Sequence, residues 1–148
     1  MSLAMHTDFA LRTLLYLGTK GARATVEETA GFYGISAHHL GKVVNQLGRL
    51  GYVKNLRGPK GGMELAKKPS EISVGAVVRA FEGREVHLLE CIETPGVCVI
   101  QPGCKLRGVL AEAERRQMEY LDGVTLANIL PETTTLGVSL GLGALKAV

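Results

Sequence analysis

No basic segment followed by an apolar run of about 7 to 15 residues opens this sequence. Nowhere do about 18 apolar residues stand together either. Secretion and membrane spanning are therefore not expected, and the cytosol is the expected compartment. Cysteine is scarce, with three residues, Cys91, Cys98 and Cys104, confined to one short stretch. An odd and clustered set is poor material for a disulfide framework under reducing conditions and better material for a metal site or a redox sensor. The paired C-x2-C knuckles that commonly hold structural zinc are missing. So are a Ser-His-Asp constellation, a phosphate-binding loop and an internal repeat, which leaves an enzymatic reading without support.

What is present is uneven in charge. Residues 1–68 hold ten Lys and Arg against four Asp and Glu, whereas residues 69–148 hold seven against ten. A basic amino-terminal half fits a surface that faces a polyanion, because Lys and Arg gain affinity by releasing counterions from phosphates. At 148 residues the chain suffices for one ordinary core with an appendage.

The pattern along the chain agrees. Phe9, Leu11, Leu14, Leu15 and Leu17 predict an amphipathic helix from about Thr7 to Thr19, with Thr7 and Asp8 at its start. Thr25 and Glu28 stand at capping-box spacing and open a second, short helix that stops at Gly34. Ser36 is placed to cap a third helix, in which Leu40, Val43, Val44, Leu47 and Leu50 recur at helical spacing. Tyr52 to Leu56 and Met63 to Leu65 read as two strands around the flexible, basic turn Arg57-Gly58-Pro59-Lys60-Gly61-Gly62. Helix, helix-turn-helix and hairpin in this order predict a mainly α fold, a winged helix-turn-helix with a β-hairpin wing. Ser73 caps a fourth helix that ends at Gly83, and Pro95, Gly96, Pro102 and Gly103 oppose regular structure up to Cys104. Lys105 to Asp122 then form a five-turn amphipathic helix, longer than the core requires and suited to dimerisation. The expected organisation is a DNA-binding domain over 1–82, a cysteine loop over 83–104, a dimerisation helix with a short following helix over 105–130, and a tail over 131–148 to which no role is assigned.

In this arrangement the third helix enters the major groove of operator DNA and the wing reaches the neighbouring backbone or minor groove. Ser36 sits where a helix amino-terminus meets a phosphate. His38, His39, Lys42, Asn45, Gln46 and Arg49 occupy the side away from the apolar stripe, where they are able to bond phosphates or base edges. Arg57 and Lys60 lie in the turn, where contact with the nucleic-acid backbone or minor groove is expected. A two-fold homodimer would present two such helices to a pseudo-palindromic site.

The spacing Cys91-x6-Cys98-x5-Cys104 is wider than a single zinc ion needs and suits an iron-sulfur cluster, whose coordination sites are spread over several irons. Cys104 also stands at the start of the long helix, where the dipole favours a negatively charged ligand. Spacing alone leaves open a zinc site completed by a histidine, and buried cysteines that serve only packing.

Together Thr7-Asp8-Phe9-Ala10-Leu11-Arg12, Ser36 with His39-Leu40-Gly41-Lys42, the glycine-rich turn followed by Leu65-Ala66, and three cysteines before a long helix ending near Thr125-Leu126-Ala127 resemble the NsrR/IscR family of iron-sulfur winged-helix regulators. The likeness runs from Met1 to about Leu130. It implies a 2Fe-2S or 4Fe-4S cluster held by Cys91, Cys98 and Cys104. In the nitric-oxide-sensing branch it implies a repressor that releases DNA when nitric oxide attacks the iron. The branch that regulates cluster assembly carries a histidine three residues after the last cysteine, where this chain has Arg107. Other branches imply redox or iron sensing. The resemblance also offers the partner subunit's Asp8 as a fourth ligand, beside the plainer role of capping the first helix. From a different class, an electron carrier or metalloenzyme subunit is the rival reading, and the basic hairpin would then have no use.

Overall fold

The computed structural model describes residues 3–59, 61–83 and 88–131. Helix α1 spans Met5–Lys20 and therefore starts before the Thr7-Asp8 pair, with Ala4 in the capping position and no side-chain cap. The reason is tertiary. Thr7 is fully buried, and its hydroxyl donates to Glu82, whose Oε1 also accepts from the Ala4 backbone N–H at 2.8 Å. A carboxylate from another helix thus meets the positive end of α1, where negative charge is favoured.

Helix α2, Val26–Tyr33, begins with the expected capping box, Glu28 N–H donating to Thr25 Oγ1 at 3.0 Å and Thr25 N–H to the Glu28 carboxylate at 3.4 Å. Gly34 follows at φ 65°, a left-handed conformation that glycine adopts without steric cost. Helix α3, Ala37–Arg49, buries Leu40, Val43, Val44 and Leu47 of the expected stripe, whereas Leu50 falls at the C-cap beyond the last helical turn and is exposed. Strands β1, Val53–Leu56, and β2, Gly62–Leu65, pair antiparallel with Val53 opposite Leu65 and Leu56 opposite Gly62. Ala24 bridges to Met63 through two backbone bonds of 3.0 and 2.7 Å, so the segment before α2 is stitched to the turn-side half of β2. This pairing holds the hairpin against the helical body.

Helix α4, Val74–Glu82, is capped by Ser73, whose Oγ accepts from Ala76 N–H at 3.2 Å. Leu14 and Leu17 of α1, Leu40 and Leu47 of α3, Met63 of β2 and Val77 of α4 form the centre of one core. Each contributes roughly 1.5–3 kcal/mol by leaving water.

Helix α5, Lys105–Gly123, stands apart from that core, and its one buried residue is Glu114. It crosses α4 closely because Gly75 has no side chain, and a Cβ there would lie 2.7 Å from the Asp122 backbone nitrogen. Arg79 grips both oxygens of the Asp122 carboxylate, and Ser73 Oγ donates to the Asp122 carbonyl at 3.1 Å. The chain then returns: Val74 N–H donates to Val124 O at 2.9 Å and Leu126 N–H to Ile72 O at 2.8 Å. Helix α6, Leu126–Ile129, drops Leu126 into the core, and Leu130 fills the space left by Gly18 of α1. The architecture is the mainly helical winged helix that the element order predicts, with one hairpin as the wing. Among the described residues no helix is long and apolar enough to cross a membrane. The tail from residue 132 lies outside the described residues.

Candidate nucleic-acid interface and cysteine loop

Because α3 buries one stripe, its opposite side is left to solvent, and His38, His39, Lys42, Asn45 and Arg49 are all exposed there. Ser36 holds the expected N-cap position and is exposed, but its side chain makes no cap bond. Gln46 departs from the expectation. It is half-buried, with its amide turned towards the Ala80 carbonyl of α4 at 3.5 Å. Arg57 is exposed in the wing turn, whereas Lys60 lies outside the described residues.

The structure adds two residues to this surface. A groove of about 580 Å³ between the amino-terminal half of α3 and the wing is lined in part by Ala37, Gly41, Asn45, Asn55, Gly58 and Pro59. A second, of about 780 Å³, lies on the other side of the Asn45–Asn55 line and includes Arg49 and Lys54. Asn55 lies across α3 where Gly48 leaves the backbone bare, since a Cβ at Gly48 would stand 2.8 Å from Asn55 Nδ2. Lys54 and Asn55 were legible only as consecutive exposed positions of a strand; the bare helix backbone at Gly48 was the one signal that the strand comes so close. Amides, imidazoles and cations on two adjacent elements form a surface able to bond phosphates and base edges.

The cysteines lie on the segment that joins α4 to α5. That segment is less irregular than its prolines and glycines predict, because Glu90–Ile92 and Gln101–Gly103 each close a single 3₁₀ turn. Cys91 is half-buried in the first turn, Cys98 is exposed, and Cys104 is half-buried at the N-cap position of α5. All three are free thiols. Among the described residues no three His, Cys, Asp or Glu side chains gather around a point that would hold one metal ion.

Polar side chains pin the backbone of this segment. Arg107 of α5 donates from Nε to Cys91 O at 2.8 Å and from Nη2 to Ile92 O at 2.7 Å. Gln101 donates to Cys91 O at 2.7 Å and Thr94 O at 2.8 Å, and its Oε1 accepts from Gly96 N–H at 2.6 Å. Two turns further along α5 than Arg107, the buried Glu114 accepts from Leu88 N–H.

Asp8 does not cap α1. It sits inside the first turn, its carboxylate accepts from Arg12 Nε at 3.0 Å, and its side chain is 43% exposed. On α5 the apolar Leu106, Val109 and Tyr120 are 59, 64 and 73% exposed, a stripe of large side chains left in water by this chain alone. Beside that stripe, hydrogen bonds from Arg115 and Arg116 hold the Glu112 carboxyl down to about 2. The Arg79 fork likewise lowers Asp122 below its ordinary value.

A family model described as Rrf2, iron-dependent transcriptional regulator, matches residues 3–132. The chain is 42% identical over 139 residues to the HTH-type transcriptional regulator NsrR of Geobacillus kaustophilus, covering 92% of this chain and 94% of that protein. It is 39% identical over 145 residues to the HTH-type transcriptional regulator NsrR of Halalkalibacterium halodurans, covering 96% and 99%. Among solved structures, CymR, the global cysteine regulator of B. subtilis, superposes with a TM-score of 0.71 at 25% identity, over 88% of this chain and 96% of that one. IscR of T. potens superposes at 0.69 with 23% identity, over 88% and 86%, a likeness of fold.

Proposed function

The chain belongs to the Rrf2 family of transcriptional regulators, which are not enzymes, and from that premise we infer that it is a DNA-binding repressor that senses nitric oxide through an iron-sulfur cluster. The observation that carries this reading is the position of the three free thiols. They lie on the one segment between α4, which is bonded to α1, and α5, which carries the exposed apolar stripe.

The donor set supports a cluster. Three free thiols, half-buried or exposed and spread at six- and five-residue intervals along a single segment, suit a group whose coordination sites are spread over several irons. Cys91, Cys98 and Cys104 would hold it, with Asp8 from a second copy of the chain as the fourth ligand. Asp8 is exposed enough for that role, and its present partner Arg12 is a surface pair of the kind that is cheaply broken. When bound, such a cluster supplies irons open to attack by nitric oxide.

The chain's own residues do the rest. Ser36, His38, His39, Lys42 and Asn45 meet the major groove, while Arg57 and Lys60 meet the flanking backbone or minor groove. The exposed α5 stripe packs on its copy in a homodimer, which places two α3 helices at half-site spacing. Residues 1–82 then serve as the DNA-binding domain, 83–104 as the cluster loop and 105–130 as the dimerisation segment. Glu82 links the two functions. It ends α4 directly before the loop and holds the first turn of α1, the helix that carries Asp8. Release of the loop therefore changes a link to the DNA-binding body and shifts the dimer between two arrangements.

Anaerobic purification followed by iron, sulfide and absorbance assays on the wild type and on Asp8→Ala tests the ligand assignment. The reading expects a cluster in the wild type and an altered or labile one in Asp8→Ala. An unchanged cluster in that variant removes Asp8 from the ligand set.

A further inference from the structure

Two side chains that are not themselves metal ligands organise the cysteine segment, and their geometry is specific. Gln101 makes three bonds, two as donor to Cys91 O and Thr94 O and one as acceptor from Gly96 N–H, so it closes residues 91–96 into a ring around one amide. Arg107 reaches from the first turns of α5 with its planar fork to two successive carbonyls, Cys91 O and Ile92 O. Cys91 O thus receives both side chains. Gln101 opens the 3₁₀ turn that leads into Cys104, and Arg107 lies three residues after it. Each therefore ties the first cysteine to the backbone that carries the last.

We propose that Gln101 and Arg107 are positioning residues for the cysteine site, holding Cys91 and Cys104 at a set separation so that the three thiols receive a cluster without first ordering the loop. This rests on the cluster reading above. Ordering backbone on binding opposes affinity, and residues that orient ligands through hydrogen bonds are worth roughly 10- to 100-fold in metal affinity. Arginine suits its position because its rigid fork serves two acceptors at once, which an ammonium on a flexible stem does not reproduce.

The test uses the full chain, loaded anaerobically, in the wild type and in Gln101→Ala, Arg107→Ala and Arg107→Lys. Iron loss to an excess of iron chelator is followed by absorbance, and amide exchange over residues 91–97 is measured on the cluster-free proteins. The expected result is iron loss roughly 10-fold or more faster in all three variants, given that scale of affinity loss. Faster amide exchange over 91–97 should accompany it, greatest at Gly96 in Gln101→Ala, with melting temperature unchanged. Arg107→Lys behaving like the wild type overturns the fork geometry and leaves only charge. Wild-type iron loss and exchange in all variants overturn the proposal while the cluster reading stands. A wild type that binds no iron and sulfide overturns the cluster reading and the proposal with it.

Discussion

Thr7 and Glu82, 75 residues apart in sequence, share a hydrogen bond that seals the first turn of α1 against the last turn of α4. Thr7 is fully buried, so its hydroxyl has no water to replace that acceptor, while the same carboxylate also holds Ala4 N–H at 2.8 Å. Glu82→Ala leaves both donors unmatched. It should destabilise the protein by about 1–3 kcal/mol, the usual cost of an unsatisfied buried polar group. Thr7→Val in the Glu82→Ala background should cost less than in the wild type, because the group it removes is already unpaired. A double-mutant cycle by urea denaturation checks this, and additive effects would contradict the link.

Two glycines that look alike in sequence should behave oppositely. A Cβ at Gly75 meets the Asp122 backbone nitrogen at 2.7 Å and its Cα at 2.9 Å, and neither is free to move without separating α4 from α5. Gly75→Ala is expected to cost about 1–3 kcal/mol, as overpacking does. A Cβ at Gly18 is too close only to the tip of the Leu130 side chain, at 2.7 Å, and meets Leu126 Cδ2 at an ordinary 3.5 Å, so a rotamer change of Leu130 absorbs it. There the gain in helix propensity, up to about 1 kcal/mol, offsets the contact, and Gly18→Ala should be near neutral. Equal losses in urea midpoints would contradict this ranking.

Acid should weaken the fold through Glu28. Burial pushes its carboxyl up, but hydrogen bonds from Lys20, Tyr16 and the Thr25 backbone outweigh burial and hold it below its ordinary value. A carboxyl lowered in the folded state contributes stability that is present above the unfolded value of about 4 and is lost as pH falls through the lower folded value. Glu28→Gln should therefore be less stable at pH 7 and show a shallower loss of stability towards pH 3. Thermal melts across that range decide it, and parallel curves for the two proteins would contradict the assignment.

Much of this was legible from local chemistry. The Thr25 capping box, the α3 stripe from Leu40 to Leu47, Ser73 as a cap and the hairpin follow from spacing and turn residues and appear where these place them, while Leu50, the last of the apolar series, lies past the helix end in water. What was missed depends on distant partners. The start of α1 has no local cap because its acceptor, Glu82, comes from α4. Gln46 reads as one more polar residue on an open face until α4 is laid beside it. The cysteine segment looks irregular from its prolines and glycines, yet Gln101 and Arg107 supply bonds that no turn rule anticipates. Within the site, the cysteines and the exposed residues of α3 were named from sequence, whereas Lys54 and Asn55 needed the contact between β1 and Gly48.

The proposed DNA surface carries a salt signature. If Arg57 and Lys42 each neutralise one phosphate, replacing either by Ala should lower the slope of log affinity against log salt by roughly 0.9, on any DNA sequence. Asn45→Ala should leave the slope unchanged and reduce discrimination between operator and altered sites by about 1–3 kcal/mol per lost base contact. Titrations at several salt concentrations separate the two classes. A changed slope in Asn45→Ala would reassign that residue to the backbone.

The most direct test joins the two surfaces. Operator affinity is measured anaerobically on one preparation of cluster-loaded protein before and after stoichiometric nitric oxide, with the cluster-free protein and Cys98→Ala alongside. The account predicts tight binding by the loaded protein alone, lost after nitric oxide and absent in the other two. Equal affinity for the loaded, nitrosylated and cluster-free forms would contradict it.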